Sequence, residues 1–114
     1  MAVLGELERS IMDVLWGASA PLSVHDVRQA LPRELAYTTV MTVLDRLAKK
    51  GIVDRELAKR AWLYRSRCTL PELVAAEVAA VIAESDPERH ASLEAVVGLL
   101  SDADKDFLRA TLAT

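Results

Sequence analysis

The chain has 114 residues, of which 52% are hydrophobic, 27% charged and 4% aromatic, and its formal net charge is −3. This composition favours helices over a large sheet. No apolar run approaches the ~18 residues of a membrane helix, and the N-terminus lacks the features of a signal peptide. Because Cys68 is the only cysteine and excludes an intrachain disulfide, we expect a protein of the reducing cytoplasm. Residues 1–67 carry 11 Lys/Arg and 8 Asp/Glu, a net of +3, whereas residues 68–114 carry 3 and 9, a net of −6. Only the first part therefore suits a polyanionic partner.

The first two elements are predicted to be helices joined by a short connector. Residues 4–16 have apolar side chains at helical spacing, and Gly17 is expected to follow this helix as its C′ residue. Ser23, with Asp26 three residues later, predicts the capped start of a second helix over residues 24–31.

Residues 37–50 predict an amphipathic third helix. Its apolar residues recur at i, i+3, i+4 and i+7 and form one face, which consists of Val40, Val43, Leu44 and Leu47. The other face begins with short hydroxyls and ends with cations. Hydroxyls and arginine can reach base edges, and lysine can bind phosphate. The residues predicted to contact DNA from this helix are Tyr37, Thr38, Thr39, Thr42, Arg46, Lys49 and Lys50.

After Gly51, which ends the third helix, the pattern changes to short runs with β-branched and aromatic residues. Residues 52–57 and 61–65 are predicted to form the two strands of a hairpin with a basic tip. Lys59 and Arg60 in that tip are expected to contact phosphate or the minor groove.

Several of these residues also have a purely structural interpretation. A threonine at a helix N-terminus is often only a cap, so one of Thr38 and Thr39 is expected to cap while the other faces the groove. Arg46 could contact guanine or phosphate, or pair with a neighbouring acid, and Tyr37 could donate to a phosphate or pack between helices. The capped helix before and the basic hairpin after favour DNA reading over a merely solvated face.

Other residues with chemical potential are expected to serve structure. Trp62 and Tyr64 alternate on one strand face and are expected to pack in the core, because a duplex offers no free base faces for stacking. Cys68 is the only cysteine, which excludes a multi-thiolate metal site, and His25 and His90 lack neighbours at ligand spacing. No catalytic motif appears. We therefore expect no enzyme activity, no cofactor and no metal.

Residues 69–114 predict three more helices. The first begins with a Thr-x-x-Glu capping box at 69–72, the second covers about 88–100, and the third follows a cap at Ser101. Their apolar stripes would stay open on a monomer, so we expect them to pack against a second copy of the chain. The predicted dimerisation residues are Leu73, Val74, Val78, Val81, Ile82, Leu93, Val96, Val97, Leu100, Phe107, Leu108 and Leu112.

Three helices followed by a β-hairpin form the winged helix-turn-helix arrangement. We predict a mainly α fold with a small hairpin wing, in which residues 1–68 are the DNA-binding domain and 69–114 the helical dimerisation region. The helix at 37–50 would then lie in the major groove of double-stranded DNA. The alternative is a winged-helix protein–protein interaction module without DNA binding, which the overall acidity supports.

Five runs of the sequence resemble the penicillinase-repressor family (BlaI/MecI/CopY) of bacterial winged-helix transcription repressors. The runs are Leu4-Gly-Glu-Leu-Glu with Ile11-Met-Asp-Val-Leu-Trp16, Ala36-Tyr-Thr-Thr-Val-Met-Thr-Val-Leu-Asp-Arg-Leu47 with Lys49-Lys-Gly-Ile-Val53, and Ala61-Trp-Leu-Tyr64. The resemblance covers roughly residues 4–67. It implies a homodimer, joined by the C-terminal helices, that represses from a dyad operator upstream of resistance genes, with its own operon as one candidate target.

The resemblance also implies how repression ends. In the family a protease, signalled by a membrane receptor, cuts the C-terminal part at an Asn–Phe bond. These 114 residues include no Asn, and the only Phe, Phe107, follows Asp106. The copper-responsive branch uses several C-terminal cysteines, a set that Cys68 alone does not supply. A regulatory protease is thus an implied partner, but the bond it would cut is not assigned.

Overall fold

The computed structural model describes residues 4–114, so residues 1–3 of the predicted 1–68 domain lie outside the described residues. Within this range the chain forms six helices and three strands. In chain order they are α1 (Glu6–Gly17), β1 (Leu22–Ser23), α2 (Val24–Ala30), α3 (Tyr37–Lys49), β2 (Val53–Ala58), β3 (Ala61–Ser66), α4 (Leu70–Glu84), α5 (Arg89–Leu99) and α6 (Asp102–Leu112).

The chain divides into two compact units, one ending at Val74 and one covering Ala75–Thr114. In the first unit, α1, α2 and α3 accompany an antiparallel sheet of order β1-β3-β2. The hairpin β2–β3 is the predicted wing, in register from Val53↔Ser66 to Ala58↔Ala61. The predicted winged-helix fold is confirmed. β1 was not predicted, because Leu22 ends the connector and Ser23 was expected only to cap α2. The two residues become a strand by pairing with Tyr64 and Leu63.

One hydrophobic core joins the three helices of the first unit to the sheet. The apolar stripes predicted for α2 and α3 are confirmed. In α1 the predicted stripe is only partly correct, because Ile11 and Leu15 are buried, Leu7 and Val14 are half-buried, and Met12, expected at the edge, is fully buried. Fully burying an aliphatic side chain of this size contributes roughly 1.5–3 kcal/mol. The core consists of Ile11, Met12, Leu15, Val24, Val27, Leu31, Val40, Val43, Leu44, Leu47, Ile52, Val53 and Tyr64.

The predicted start of α2 is correct, its end lies one residue earlier than predicted, at Ala30, and the predicted end of α1 is wrong in detail. Ser23 Oγ accepts from Asp26 N, and Asp26 Oδ2 accepts from Ser23 N, both at 3.1 Å, which is the predicted capping box. Gly17 is instead the last residue of α1. Ala18 follows it in an extended conformation and its N–H caps the Leu15 carbonyl at 3.2 Å. The helix therefore ends without needing a glycine after it.

The end of α3 does require its glycine. Gly51 has φ +78°, a left-handed conformation that side-chain-bearing residues adopt at a cost. Gly51 N donates to Ala48 O and Ile52 N donates to Leu47 O, both at 3.0 Å, which is the Schellman pattern. The buried Leu47 and Ile52 accompany it. This turn fixes the direction in which β2 leaves the helix.

A hydrogen-bonded junction, not predicted from the sequence, ties α1 to the end of β3. Trp16 Nε1 donates to the Cys68 carbonyl at 2.8 Å and to Ser66 Oγ at 3.0 Å. Next to it, Thr69 N donates to Glu72 Oε1 at 3.0 Å, and Thr69 Oγ1 accepts from Glu72 N at 3.2 Å, as the predicted cap of α4 requires.

The second unit contains the remainder of α4 with α5 and α6. The predicted cap at Ser101 is present, because its Oγ accepts from Asp104 N at 3.1 Å. Within this unit Ile82 is buried, but most other large apolar side chains are exposed, and Phe107 is 73% exposed. In the part of the chain that the structure describes, no helix has the length and apolar character needed to cross a membrane.

Candidate nucleic-acid interface

All nine side chains that were predicted from the sequence to contact DNA are exposed, and all nine belong to the first unit. Seven belong to α3 or its C-cap, Lys50, and two to the wing tip. At 100° per residue, the positions opposite the buried stripe of α3 are 38, 42, 45 and 49. The outermost line of the helix is thus two hydroxyls, one carboxylate and one ammonium.

The first turn of α3 has no side-chain cap. Ala36 is the N-cap residue, so the expectation that Thr38 or Thr39 caps the helix is wrong. Both hydroxyls are exposed, and the N-terminal N–H groups of the helix lack a side-chain acceptor, an arrangement that suits a phosphate. Thr42 Oγ1 donates to Thr38 O at 2.7 Å. Because the Thr42 hydroxyl proton is used in this hydrogen bond, the Thr42 oxygen can only accept a hydrogen bond from a donor on DNA.

The three cations at the end of α3 have different surroundings. Lys50 Nζ lies 2.9 Å from Oε2 of Glu8, a mostly buried carboxylate of α1. The pKa of Glu8 is lowered, first by the backbone N–H of Gly5 and then by Lys50, against an opposing effect of burial. Lys49 pairs with Asp45 at 3.2 Å. Within residues 4–114, the Arg46 guanidinium forms no hydrogen bond or ion pair and remains available to a ligand.

The wing tip is a two-residue turn in which both residues are left-handed. Lys59 has φ 48° and Arg60 has φ 70°, between the paired residues Ala58 and Ala61. Turns of this kind prefer Asn-Gly because both central residues need φ above zero. Two long cations occupy the positions instead, and both side chains are exposed at the end of the hairpin.

A cluster between α3 and the wing was missed from the sequence. Arg55 Nη1 donates to Asp45 Oδ1 at 3.1 Å, and its guanidinium lies 4.3 Å from the centroid of the Trp62 ring. Asp45 thus accepts from both Lys49 and Arg55. The usable signal was the hairpin register, which follows once residues 59–60 are taken as the turn and puts Arg55 opposite Tyr64 and near Trp62.

The prediction of core packing is correct for Tyr64, which is 2% exposed, and wrong for Trp62, which is 43% exposed. The two residues share a strand face, as the alternation indicated, but the wing projects beyond the core at Trp62. Met41 of α3, also missed, is 40% exposed and lines the same groove as Trp62.

No group of three or more His, Cys, Asp or Glu side chains among the described residues is arranged to hold a metal ion. The candidate interface offers hydroxyls, cations and one carboxylate held in two ion pairs, a set suited to a duplex with its phosphates and base edges.

Comparisons with solved structures agree with this fold. The complex structure of hsRosR-S4 matches with a TM-score of 0.53 and 21% identity over 92% of each chain. A MarR/EmrR family transcriptional regulator from Acinetobacter sp. ADP1 matches with a TM-score of 0.51 and 24% identity, over 96% of this chain and 72% of the other. BpsR of Bordetella bronchiseptica has a TM-score of 0.51 and 19% identity, over 97% and 74%. At these identities the likeness supports the winged-helix fold alone.

Sequence comparison identifies the family. Residues 4–113 match the family described as penicillinase repressor. The transcriptional regulator BlaI of Mycobacterium tuberculosis, in strains CDC 1551 / Oshkosh and H37Rv, is 42% identical in an alignment that covers 96% of this chain and 83% of the relative. The chain therefore belongs to the penicillinase repressor family, as a DNA-binding transcriptional regulator and not an enzyme.

Proposed function

We propose that the chain is a homodimeric, sequence-specific repressor that binds a dyad operator. The observation that carries this proposal is the exposed face of α3, where hydroxyls and an available Arg46 occur in one unit with a cationic wing tip. In this proposal α3 enters the major groove. Thr38, Thr39, Thr42 and Arg46 then meet base edges, and Tyr37 meets phosphate.

The remaining cations would bind the flanking backbone. Lys59 and Arg60 extend from the wing tip, and Lys49 retains two further donors beside its pair with Asp45. Lys50 has weaker support as a DNA contact, because its ammonium is engaged with Glu8. Few phosphates would be neutralised by one domain, so affinity should depend on two domains bound together.

A second copy of the chain is supported by the apolar surface of the second unit. Several of its large apolar side chains are exposed, and exposed apolar patches mark protein–protein interaction sites. Its acidic net charge makes it unsuited to DNA. We propose residues 1–68 as the DNA-binding domain and 69–114 as the dimerisation region. Leu73 and Ile82 are exceptions among the predicted dimerisation residues, because Leu73 packs against the core of the first unit and Ile82 is already buried within the second. Val78, Val81, Val97 and Phe107, all exposed, have better support.

Family membership favours resistance-type genes and the chain's own operon as the regulated targets. The protein would act on them in the cytoplasm. A regulatory protease would be the partner that ends repression. Its cleavage site would differ from an Asn–Phe bond, which this sequence does not contain.

The proposal is tested by fluorescence anisotropy on a duplex from the promoter of the chain's own gene and on a scrambled duplex, each at two salt concentrations. If two or three cations per protomer bind phosphate, the logarithm of affinity should fall with the logarithm of salt with a slope of about −4 to −5 for the dimer. Equal and salt-insensitive affinity for both duplexes would contradict it and favour the protein–protein module.

A further inference from the structure

We propose that Asp45, Arg55 and Trp62 form a brace between α3 and the wing, in which Arg55 is a positioning residue for sequence-specific binding. The inference rests on the proposed function, because the brace would act by fixing how α3 and the wing are presented to DNA.

The brace takes one residue from each of three elements. Asp45 comes from α3, Arg55 from β2 and Trp62 from β3, and Arg55 touches both of the others. An exposed ion pair alone holds little, and Asp45 and Arg55 are 36% and 38% exposed. Here the planar guanidinium also stacks on an indole ring, so it is held on one side by charge and on its face by the ring.

The brace lies at a distance from the turn that joins α3 to β2. The Schellman turn at Gly51 already joins α3 to β2 at one end. Asp45 lies six residues before Gly51, about 9 Å along the helix at 1.5 Å per residue. The turn alone joins α3 and the hairpin at a single point and leaves the angle between them free to vary. A second connection at that distance restricts this angle. That angle sets whether α3 and the wing tip can meet the groove and the backbone together.

The brace also controls a charge that would oppose DNA binding. Asp45 belongs to the outermost line of α3, between Thr42 and Lys49, where a bare carboxylate would face phosphates. Arg55 engages Oδ1 at 3.1 Å and Lys49 engages Oδ2 at 3.2 Å. Because its guanidinium is bound to Asp45 and stacked on Trp62, Arg55 does not itself contact DNA. It affects recognition by pairing with Asp45 and by fixing the angle between α3 and the wing.

The test begins with a duplex selected by the wild-type chain from a random pool of about 30 base pairs, long enough for two half-sites about 10 base pairs apart. The quantity measured is the ratio of affinities for this duplex and for a shuffled duplex of equal composition, because uniform electrostatic effects cancel in the ratio. The variants are Arg55→Gln, Asp45→Asn and their double, with Arg65→Gln as the control that removes one exposed cation from the same hairpin.

We expect each single variant of the brace to lower the ratio about tenfold, and the double variant to lower it no further, since contacting residues that act as a unit are not additive. The salt slope for shuffled DNA should be unchanged by Arg55→Gln, because no phosphate contact is lost. Trp62→Leu should behave like Arg55→Gln, whereas Trp62→Phe, which keeps an aromatic face, should retain most of the preference. Arg65→Gln should leave the ratio as in the wild type.

Multiplicative losses in the double variant, or a salt slope shallower by about 0.9 for each protomer, would overturn the brace and make Arg55 a direct DNA contact. Thermal unfolding of each variant shows whether it is folded. The comparison of Trp62→Leu with Trp62→Phe tests the role of the aromatic ring without a change of charge. If the wild-type chain enriches no duplex, the proposed function falls and the brace with it. If a duplex is enriched but Arg55→Gln keeps the full ratio, the brace alone is overturned.

Discussion

Arg46 and Lys59 are both exposed cations, but their positions predict different effects on DNA binding. Arg46 projects from the helix expected to enter the groove, and a bidentate contact to guanine contributes ~1–3 kcal/mol of discrimination. Lys59 lies at the wing tip, where phosphate is the available partner.

Arg46→Ala should therefore reduce the preference for operator over scrambled DNA about tenfold, whereas Lys59→Ala should weaken binding to both duplexes about equally and make the salt slope shallower by about 1 per protomer. Anisotropy titrations on the two duplexes measure both quantities. Arg89→Ala, which removes an exposed cation from α5, is the control. A uniform effect of Arg46→Ala on both duplexes would make Arg46 a phosphate contact.

Glu8 predicts an acid-dependent loss of stability in the first unit. Its pKa in the folded chain is lowered from about 4.5, mainly by the Gly5 N–H and also by Lys50, so the ionised form stabilises the fold. This contribution is complete above the unfolded pKa and is lost as the pH falls through the lower folded pKa. Urea unfolding from neutral pH down to acid should show a steeper loss for the wild type than for Glu8→Gln. Parallel curves for the two proteins would contradict the assignment.

At the scale of elements, the wing tip has a conformation that its residues do not favour. Left-handed backbone costs a residue with a side chain roughly 1–2 kcal/mol, and Lys59 and Arg60 both adopt it. The double variant Lys59→Asn with Arg60→Gly suits this turn and should raise the free energy of unfolding by about 1–2 kcal/mol. The same variant should bind all DNA more weakly, because two cations are gone. Denaturant unfolding measures the first effect and anisotropy the second, and unchanged stability would show that the turn is not strained.

Element boundaries could be predicted where one residue type determines the local backbone. Ser23, Thr69 and Ser101 cap helices as predicted, and Gly51 ends α3, because each effect acts within a few residues. The prediction that Gly17 follows α1 was wrong, since a helix can also end with an extended residue such as Ala18. β1 was beyond prediction because its pairing partner in β3 is some 40 residues away along the chain.

At the scale of the whole molecule, the apolar surface of the second unit predicts a dimer. Val78→Glu with Val97→Glu should give a folded monomer in sedimentation velocity, because a carboxylate cannot be buried unpaired in an apolar interface. Operator affinity should fall about 100-fold or more, since the two domains would no longer bind as one ligand. His90→Glu adds a carboxylate at an exposed polar position of α5 and should remain dimeric. A dimer of unchanged stability in the double variant would remove these residues from the interface.

The sequence could predict which faces are apolar, but not which distant side chains meet. The helix α3 and its exposed residues follow from a short-range period. The hairpin register that brings Arg55 near Trp62 follows once residues 59–60 are taken as the turn. The contact of Arg55 with Asp45 and the Trp16–Cys68 junction depend on packing between elements, which only the folded chain defines. Trp62 shows the difference, since alternation assigned its strand face correctly while its exposure depends on how far the hairpin extends past the core.

The two tryptophans of this chain also give it two separate optical reporters. Trp16 is partly buried with its indole N–H hydrogen-bonded to a carbonyl, so its emission should follow unfolding of the first unit. Trp62 is in contact with water and with a guanidinium, so its emission should respond when the wing meets a ligand. With Trp62→Phe or Trp16→Phe, one signal can be read without the other and without an attached dye.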